Sequence, residues 1–238
     1  NSSPCNLNTS NFTRHRGINM HVESAPFIAP PCHDDIEILY QDEHLLLINK
    51  PSKLLSLSGK HPLNIDSVHH RLVKDFPTAL MVHRLDLGTS GIMLIAFNKA
   101  INKDLCEQFS SRAIKKSYTA VLQGNVIGAK GTIDLPIAKG EFPLQKICYE
   151  YGKPATSDYE VIERLPDRTK VMFSPMTGRT HQLRIHSREI GHPILGCDLY
   201  GSDTSLSMSK RLMLHATTLE FVHPISQKKI VAHCECPF

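Results

Sequence analysis

His83-Arg84-Leu85-Asp86-Leu87-Gly88-Thr89-Ser90-Gly91 runs directly into Ile92-Met93-Leu94-Ile95-Ala96-Phe97. The second stretch is an unbroken apolar run of strand length, the pattern of a strand covered on both faces. The first gathers an acid, two basic side chains, two hydroxyls and two glycines where that buried strand begins. A turn at the mouth of a buried strand is anchored at one end and open at the other, a typical place for binding and catalytic side chains. Taken alone, Asp86 reads as a turn-forming or capping aspartate, because the side chain of Asp readily bonds its own backbone in turns.

Working outward, Ile36–Tyr40 and Leu45–Ile48 read as two short strands joined by the turn-prone Gln41-Asp42-Glu43-His44. Ile65, Val68, Leu72 and Phe76 fall at helical spacing, and Pro77 stops that helix. Asn98 caps a predicted helix carrying Ile101, Leu105 and Phe109. Beyond Lys116, short β-branched segments at 118–122, 132–137, 157–162 and 170–173 are punctuated by Gly and Pro. A helix is predicted over 179–190, with Thr180 as N-cap and Gly191 after its end. Segments 212–214 and 219–222 close the chain as further strands. Strands outnumber helices without alternating with them, which predicts an α+β fold on a central mixed or antiparallel sheet flanked by helices and loops. Residues 1–34, rich in Asn, Ser and Pro, are expected to form an extended or partly disordered arm ahead of a single domain over 35–238.

The 238 residues are 41% hydrophobic and 21% charged, and no apolar run reaches membrane-spanning length. A formal charge of +4 permits a polyanionic partner without demanding one. Seven irregularly spaced cysteines with no C-x-x-C predict free thiols in a reducing, cytoplasmic compartment. His-Arg-Leu-Asp is not a kinase loop, since the aspartate does not follow arginine directly and no D-F-G is present. His181 and His186 are five apart, about 140° around a helix, which is not the i, i+4 pair of a zinc protease. What remains is a carboxylate acting directly on a substrate. His181, Arg184 and Arg188, at i, i+3 and i+7, share one helix face and read as a basic surface for RNA.

The motif His83-Arg84-Leu85-Asp86-x-x-Thr89-Ser90-Gly91 resembles the signature of the RluA-type pseudouridine synthases. Further matches follow in order: Asn49-Lys50-Pro51, Lys115-Lys116-Ser117-Tyr118, Gly178-Arg179-Thr180-His181-Gln182-Leu183-Arg184-Ile185-His186, Gly191 to Gly196, and Leu212 to Ala216. The resemblance covers about residues 36–238 and is nearest to the short members without an S4 domain, some of which modify both large-subunit rRNA and the tRNA anticodon arm. Lys53 departs from the family, which often has glycine there.

The resemblance implies isomerisation of uridine within structured RNA, without cofactor or metal, by a monomer needing no protein partner. It assigns Asp86 as the catalytic carboxylate, by sugar addition or by proton abstraction. Arg184 is its cationic partner, and Tyr118 the aromatic that stacks on uracil and relays a proton. Arg84 is implied to fill the place of the flipped base. His83, Thr89, Lys115, Lys116, Arg179, His181 and Arg188 are the remaining expected RNA contacts. Two other classes stay in view: a non-catalytic RNA-binding or chaperone module on the same scaffold, and a nucleoside hydrolase.

Overall fold

A computed structural model describes residues 26–238. The chain first forms β1 (Glu37–Gln41) and β2 (Leu45–Lys50), an antiparallel pair, then a 3-10 turn at Pro62–Asn64 and the short helix α1 (Val68–Leu72). β3 (Leu80–Met81), β4 (Ser90–Ala96), α2 (Lys99–Ser110) and β5 (Lys115–Gln123) follow. Next come β6 (Lys130–Asp134), the hairpin β7 (Ile137–Lys139) and β8 (Gln145–Ile147), and the long strands β9 (Thr156–Leu165) and β10 (Arg168–Pro175). The chain closes with α3 (Gln182–Glu189), α4 (Asp203–Ser207), β11 (Leu214–Val222) and β12 (Lys229–His233). The main sheet runs β1-β2-β4-β11-β5-β10-β9-β6, with β3 beside β4 and β12 beside β11.

The expected α+β class is observed, and the sheet is mixed because one pair, β4 with β11, is parallel. That junction is two residue pairs long, Ser90 with His215 and Gly91 with Ala216. Only glycine fits at position 91. Its φ is +114°, and a Cβ there would lie 2.3 Å from the Ala216 carbonyl oxygen.

Every residue of β4 is buried. Ile92, Leu94 and Ala96 face Leu45, Leu47, Ile101 and Leu105, so α2 covers that side. Met93 and Ile95 face Leu46, Ile48, Val68 and Leu72, so α1 covers the other. A third apolar cluster, with Leu122, Val171, Phe173, Leu183 and Ile185, packs α3 against β5 and β10. These three clusters hold the strand that follows the Asp86 turn and the α3 helix on one continuous sheet.

Asn98 caps α2 as expected, its side chain accepting from the Ile101 amide at 3.0 Å. Gly191, at φ +82°, ends α3. Four expectations change. The helix over 65–76 shrinks to α1, capped by Ser67, whose hydroxyl accepts from His70 N–H. The strand over 132–137 ends at Asp134, because Leu135-Pro136 turns the chain into the β7–β8 hairpin. Segments 212–214 and 219–222 merge into one strand, β11, with a bulge between Ala216 and Thr218. The apolar pattern breaks there because Thr217 and Thr218 pair their hydroxyls with Thr119 and Ser117. Finally, α3 begins after His181, not Thr180. His181 sits in the left-handed region (φ +57°), and the Gln182 side chain turns back to accept from the Thr177 hydroxyl and the Arg179 amide.

Of the expected arm, residues 1–25 lie outside the described residues. Residues 26–36 carry no regular structure but are tied down. Asn64 bonds the backbone of Phe27 and Ala29, and Arg71 donates to the carbonyls of Cys32 and Asp34.

Candidate active site

The loop carrying Asp86 is shaped by the segment just after β2. Lys50 is fully buried, and its ammonium donates to the carbonyls of Pro51 (2.9 Å), Leu54 (2.7 Å) and Leu87 (3.2 Å). The Ser56 hydroxyl donates to Leu85 O and accepts from Leu85 N, and the Ser52 hydroxyl donates to Gly88 O. Lys53 N–H donates to Leu87 O, and Lys53 itself adopts φ +68°. The lysine therefore occupies the left-handed conformation that explains a preference for glycine there. Five hydrogen bonds to Leu85, Leu87 and Gly88 thus bracket Asp86 from the protein interior.

Asp86 projects into a cleft of about 1390 Å³ that is also lined by Arg84, Lys116, Tyr118, Arg179 and Arg184. Arg184 Nη1 lies 3.6 Å from Asp86 Oδ2, and His181 Nε2 lies 4.0 Å from Asp86 Oδ1. Arg184 is 5% exposed and is held on its far side by Cys197 Sγ (3.4 Å from Nε) and by the Asp198 carboxylate. Burial works against its charge, but Cys197, Asp86 and Asp198 more than offset this, and its pKa is raised. The Asp86 carboxylate thus faces a fixed guanidinium in a shielded cleft. Burial, and then the neighbouring charge of Asp86, push the Tyr118 phenol well above the ordinary tyrosine range, so the ring enters the cleft as a neutral hydroxyl.

The remaining expected residues divide. Arg84 is exposed at the cleft. Lys115 is exposed and 3.9 Å from Glu220, which Lys229 also reaches. Lys116 lies over the Phe109 ring, and burial lowers its pKa. Arg179 lines the cleft while donating to Pro154 O at 3.0 Å.

Three further expected contacts have structural ties of their own, and two of them, His83 and Thr89, also line the cleft. His83 accepts from Leu94 N–H at 2.9 Å and stacks on Phe109; burial, and then Lys116, lower its pKa to about 3. It braces the loop against β4 through that bond. Thr89 is 2% exposed, enclosed in the turn where its N–H donates to Asp86 O. Arg188 is not among the cleft-lining residues; it pairs with Glu189 and lies over the Tyr200 ring.

Sequence reasoning misses Tyr200, Asp198 and Cys197, all on the loop after α3. Their signal is the pair Gly196 and Gly201 bracketing them. A Cβ at either glycine would collide with backbone, at Arg211 and Cys197 respectively, so the loop is forced into one tight path behind Arg184.

A sequence model described as RNA pseudouridylate synthase matches residues 44–189. The chain belongs to the RNA pseudouridylate synthase family. It is 46% identical over 198 residues to the dual-specificity RNA pseudouridine synthase RluA of Escherichia coli (strain K12), covering 82% of this chain and 90% of that one. The protein of the same name from Yersinia pestis is 46% identical over 204 residues, covering 84% and 99%. Among solved structures, human RNA Pseudouridylate Synthase Domain Containing 1 aligns with a TM-score of 0.76 at 29% identity, covering 88% of this chain and 86% of that one.

Proposed function

We propose that this chain isomerises uridines in structured RNA, that Asp86 is the carboxylate that does so, and that it serves both rRNA and tRNA stem-loops. The observation that carries the reading is the Asp86–Arg184 pair at the floor of a cleft rimmed by Lys115, Lys116, Arg84 and Arg179. The names of the RluA relatives, each called dual-specificity, support more than one RNA substrate.

A uridine inside a stem or stacked loop must leave its stack to reach Asp86, at a cost of a few kcal/mol. Arg84, exposed beside the acid, has a planar group suited to fill the gap left behind. In the cleft the C1′–N1 bond breaks, the uracil turns while held, and C5 bonds to C1′; C5 gives up its proton and N1, freed from the sugar, takes one up. No atom is gained or lost. Asp86 either adds to the sugar or takes a ribose proton; both routes need an anion held beside Arg184. Tyr118 offers its ring face to the uracil and its hydroxyl to the proton transfer. The same reading takes a monomer as the working unit, in a cytoplasmic setting that suits the six free cysteines among the described residues.

Asp86→Asn is the test. The variant is expected to fold, to bind a stem-loop RNA with wild-type affinity, and to form no pseudouridine by mass spectrometry. Near-normal product would overturn the assignment. Retained RNA binding alone would not favour a chaperone role, because that reading predicts no dependence of the wild type on Asp86.

A further inference from the structure

His181 stands between Asp86 and Tyr200. Its Nδ1 is 2.7 Å from the Tyr200 hydroxyl, while its Nε2 faces Asp86 Oδ1 at 4.0 Å. The same hydroxyl accepts the backbone N–H of Gln145, at the start of β8, at 2.8 Å. Tyr200 is 2% exposed. A phenol has one proton to donate. Among the described residues, the acceptor that the Tyr200 hydroxyl meets is His181 Nδ1. If Nδ1 carried a proton instead, the hydroxyl would accept twice and its own buried proton would have no partner. The tautomer with hydrogen on Nε2 satisfies every group, and it turns that hydrogen toward Asp86.

The ring is also held neutral. Burial opposes a second proton and Arg184 adds to that, against the opposite pull of Asp86 and Asp198. His181 has a left-handed backbone (φ +57°) immediately before α3, and its ring is held by the Tyr200 hydroxyl.

We propose that Tyr200 is a positioning residue that acts through His181: it fixes the Nε2–H tautomer so that Asp86 Oδ1 has its own donor, opposite the one Arg184 gives Oδ2. One donor per oxygen fixes the plane of the carboxylate. Both contacts are about 1 Å longer than a hydrogen bond and are of the kind that tightens when substrate closes a site. The chain of contacts begins on the β7–β8 hairpin, whose Phe142 lines the same cleft, and it reaches Asp86 through two hydrogen bonds and the 4.0 Å His181 contact. This inference rests on Asp86 being the catalytic carboxylate.

The test combines histidine ¹⁵N NMR on the full chain with single-turnover kinetics on a stem-loop RNA. In the wild type, His181 is expected to carry its proton on Nε2. Tyr200→Phe keeps the ring beside Arg184 but removes the hydroxyl; it should mix the tautomers and slow the chemical step by about tenfold or more, with RNA affinity within about twofold. That is well short of the ~10⁴-fold cost of a wrong histidine tautomer in a serine protease. His181→Gln, which retains a donor near Nε2, should stay faster than His181→Leu. A wild-type proton on Nδ1, a normal rate for Tyr200→Phe, or equal rates for the two His181 variants would overturn the proposal. Activity in Asp86→Asn would instead remove the reading beneath it, and the two failures are told apart by that variant alone.

Discussion

The buried ammonium of Lys50 reaches the carbonyl of Leu87 across 3.2 Å, one residue beyond Asp86. With its bonds to Pro51 and Leu54, it ties the end of β2 to the Asp86 loop. Lys50→Met keeps the length of the side chain and strips a donor from three carbonyls, of which Leu87 O keeps the Lys53 N–H. Buried acceptors left alone cost roughly 1–3 kcal/mol each before relaxation. The variant should therefore lose about 3 kcal/mol of stability by urea denaturation. Its turnover should fall further than its RNA affinity, because the loop loses its floor while the rim cations stay in place.

Acid sensitivity should trace to neutral buried histidines. His215 is fully buried; it accepts from the Ser90 hydroxyl, which in turn accepts from Arg211, and burial lowers its pKa from 6.5 to about 4. Between those two values the unfolded chain binds a proton that the folded chain refuses. The contribution is thus complete above pH 6.5 and lost as pH falls toward 4. The slope from this residue reaches up to about 1.4 kcal/mol per pH unit. Urea midpoints of the wild type and His215→Gln, measured from pH 7 to 4.5, should converge on the acid side. Parallel curves would reject the assignment.

RNA affinity should carry the signature of released counterions. Lys116→Ala and Arg179→Ala each remove a cation lining the cleft. Each is expected to flatten the slope of log affinity against log salt by about 0.7–0.9 for every phosphate left without its cation. Arg188→Ala, behind the site with Glu189, should leave that slope unchanged. Filter binding of a stem-loop RNA across a salt series reads all three.

Local signals carry much of the fold. The unbroken run Ile92–Ala96 announces a strand covered twice, Asn98 a helix start and Gly191 a helix end, and each is a rule about neighbours in sequence. The bulge in β11 is hidden because it depends on Thr217 and Thr218 meeting Thr119 and Ser117, about a hundred residues away. The site divides the same way. Asp86, Tyr118 and Arg184 are found through motif resemblance, and the cleft unites them. His83 and Thr89 belong to the same motif and also tie the loop together, through Leu94 N–H and Asp86 O, which only the three-dimensional contacts reveal. Tyr200 escapes because its importance lies in one hydroxyl proton, and composition carries no trace of where that proton points.

The two-pair parallel junction of β4 with β11 gives the molecule a fault line. Asp86 hangs from one side of it, while Arg184 and Tyr118 belong to the other. Slight parting along that line would separate acid from cation long before the flanking antiparallel ladders melt. Loss of turnover should accordingly precede loss of circular dichroism as denaturant rises, so that enzymatic failure serves as the earliest gauge of damage.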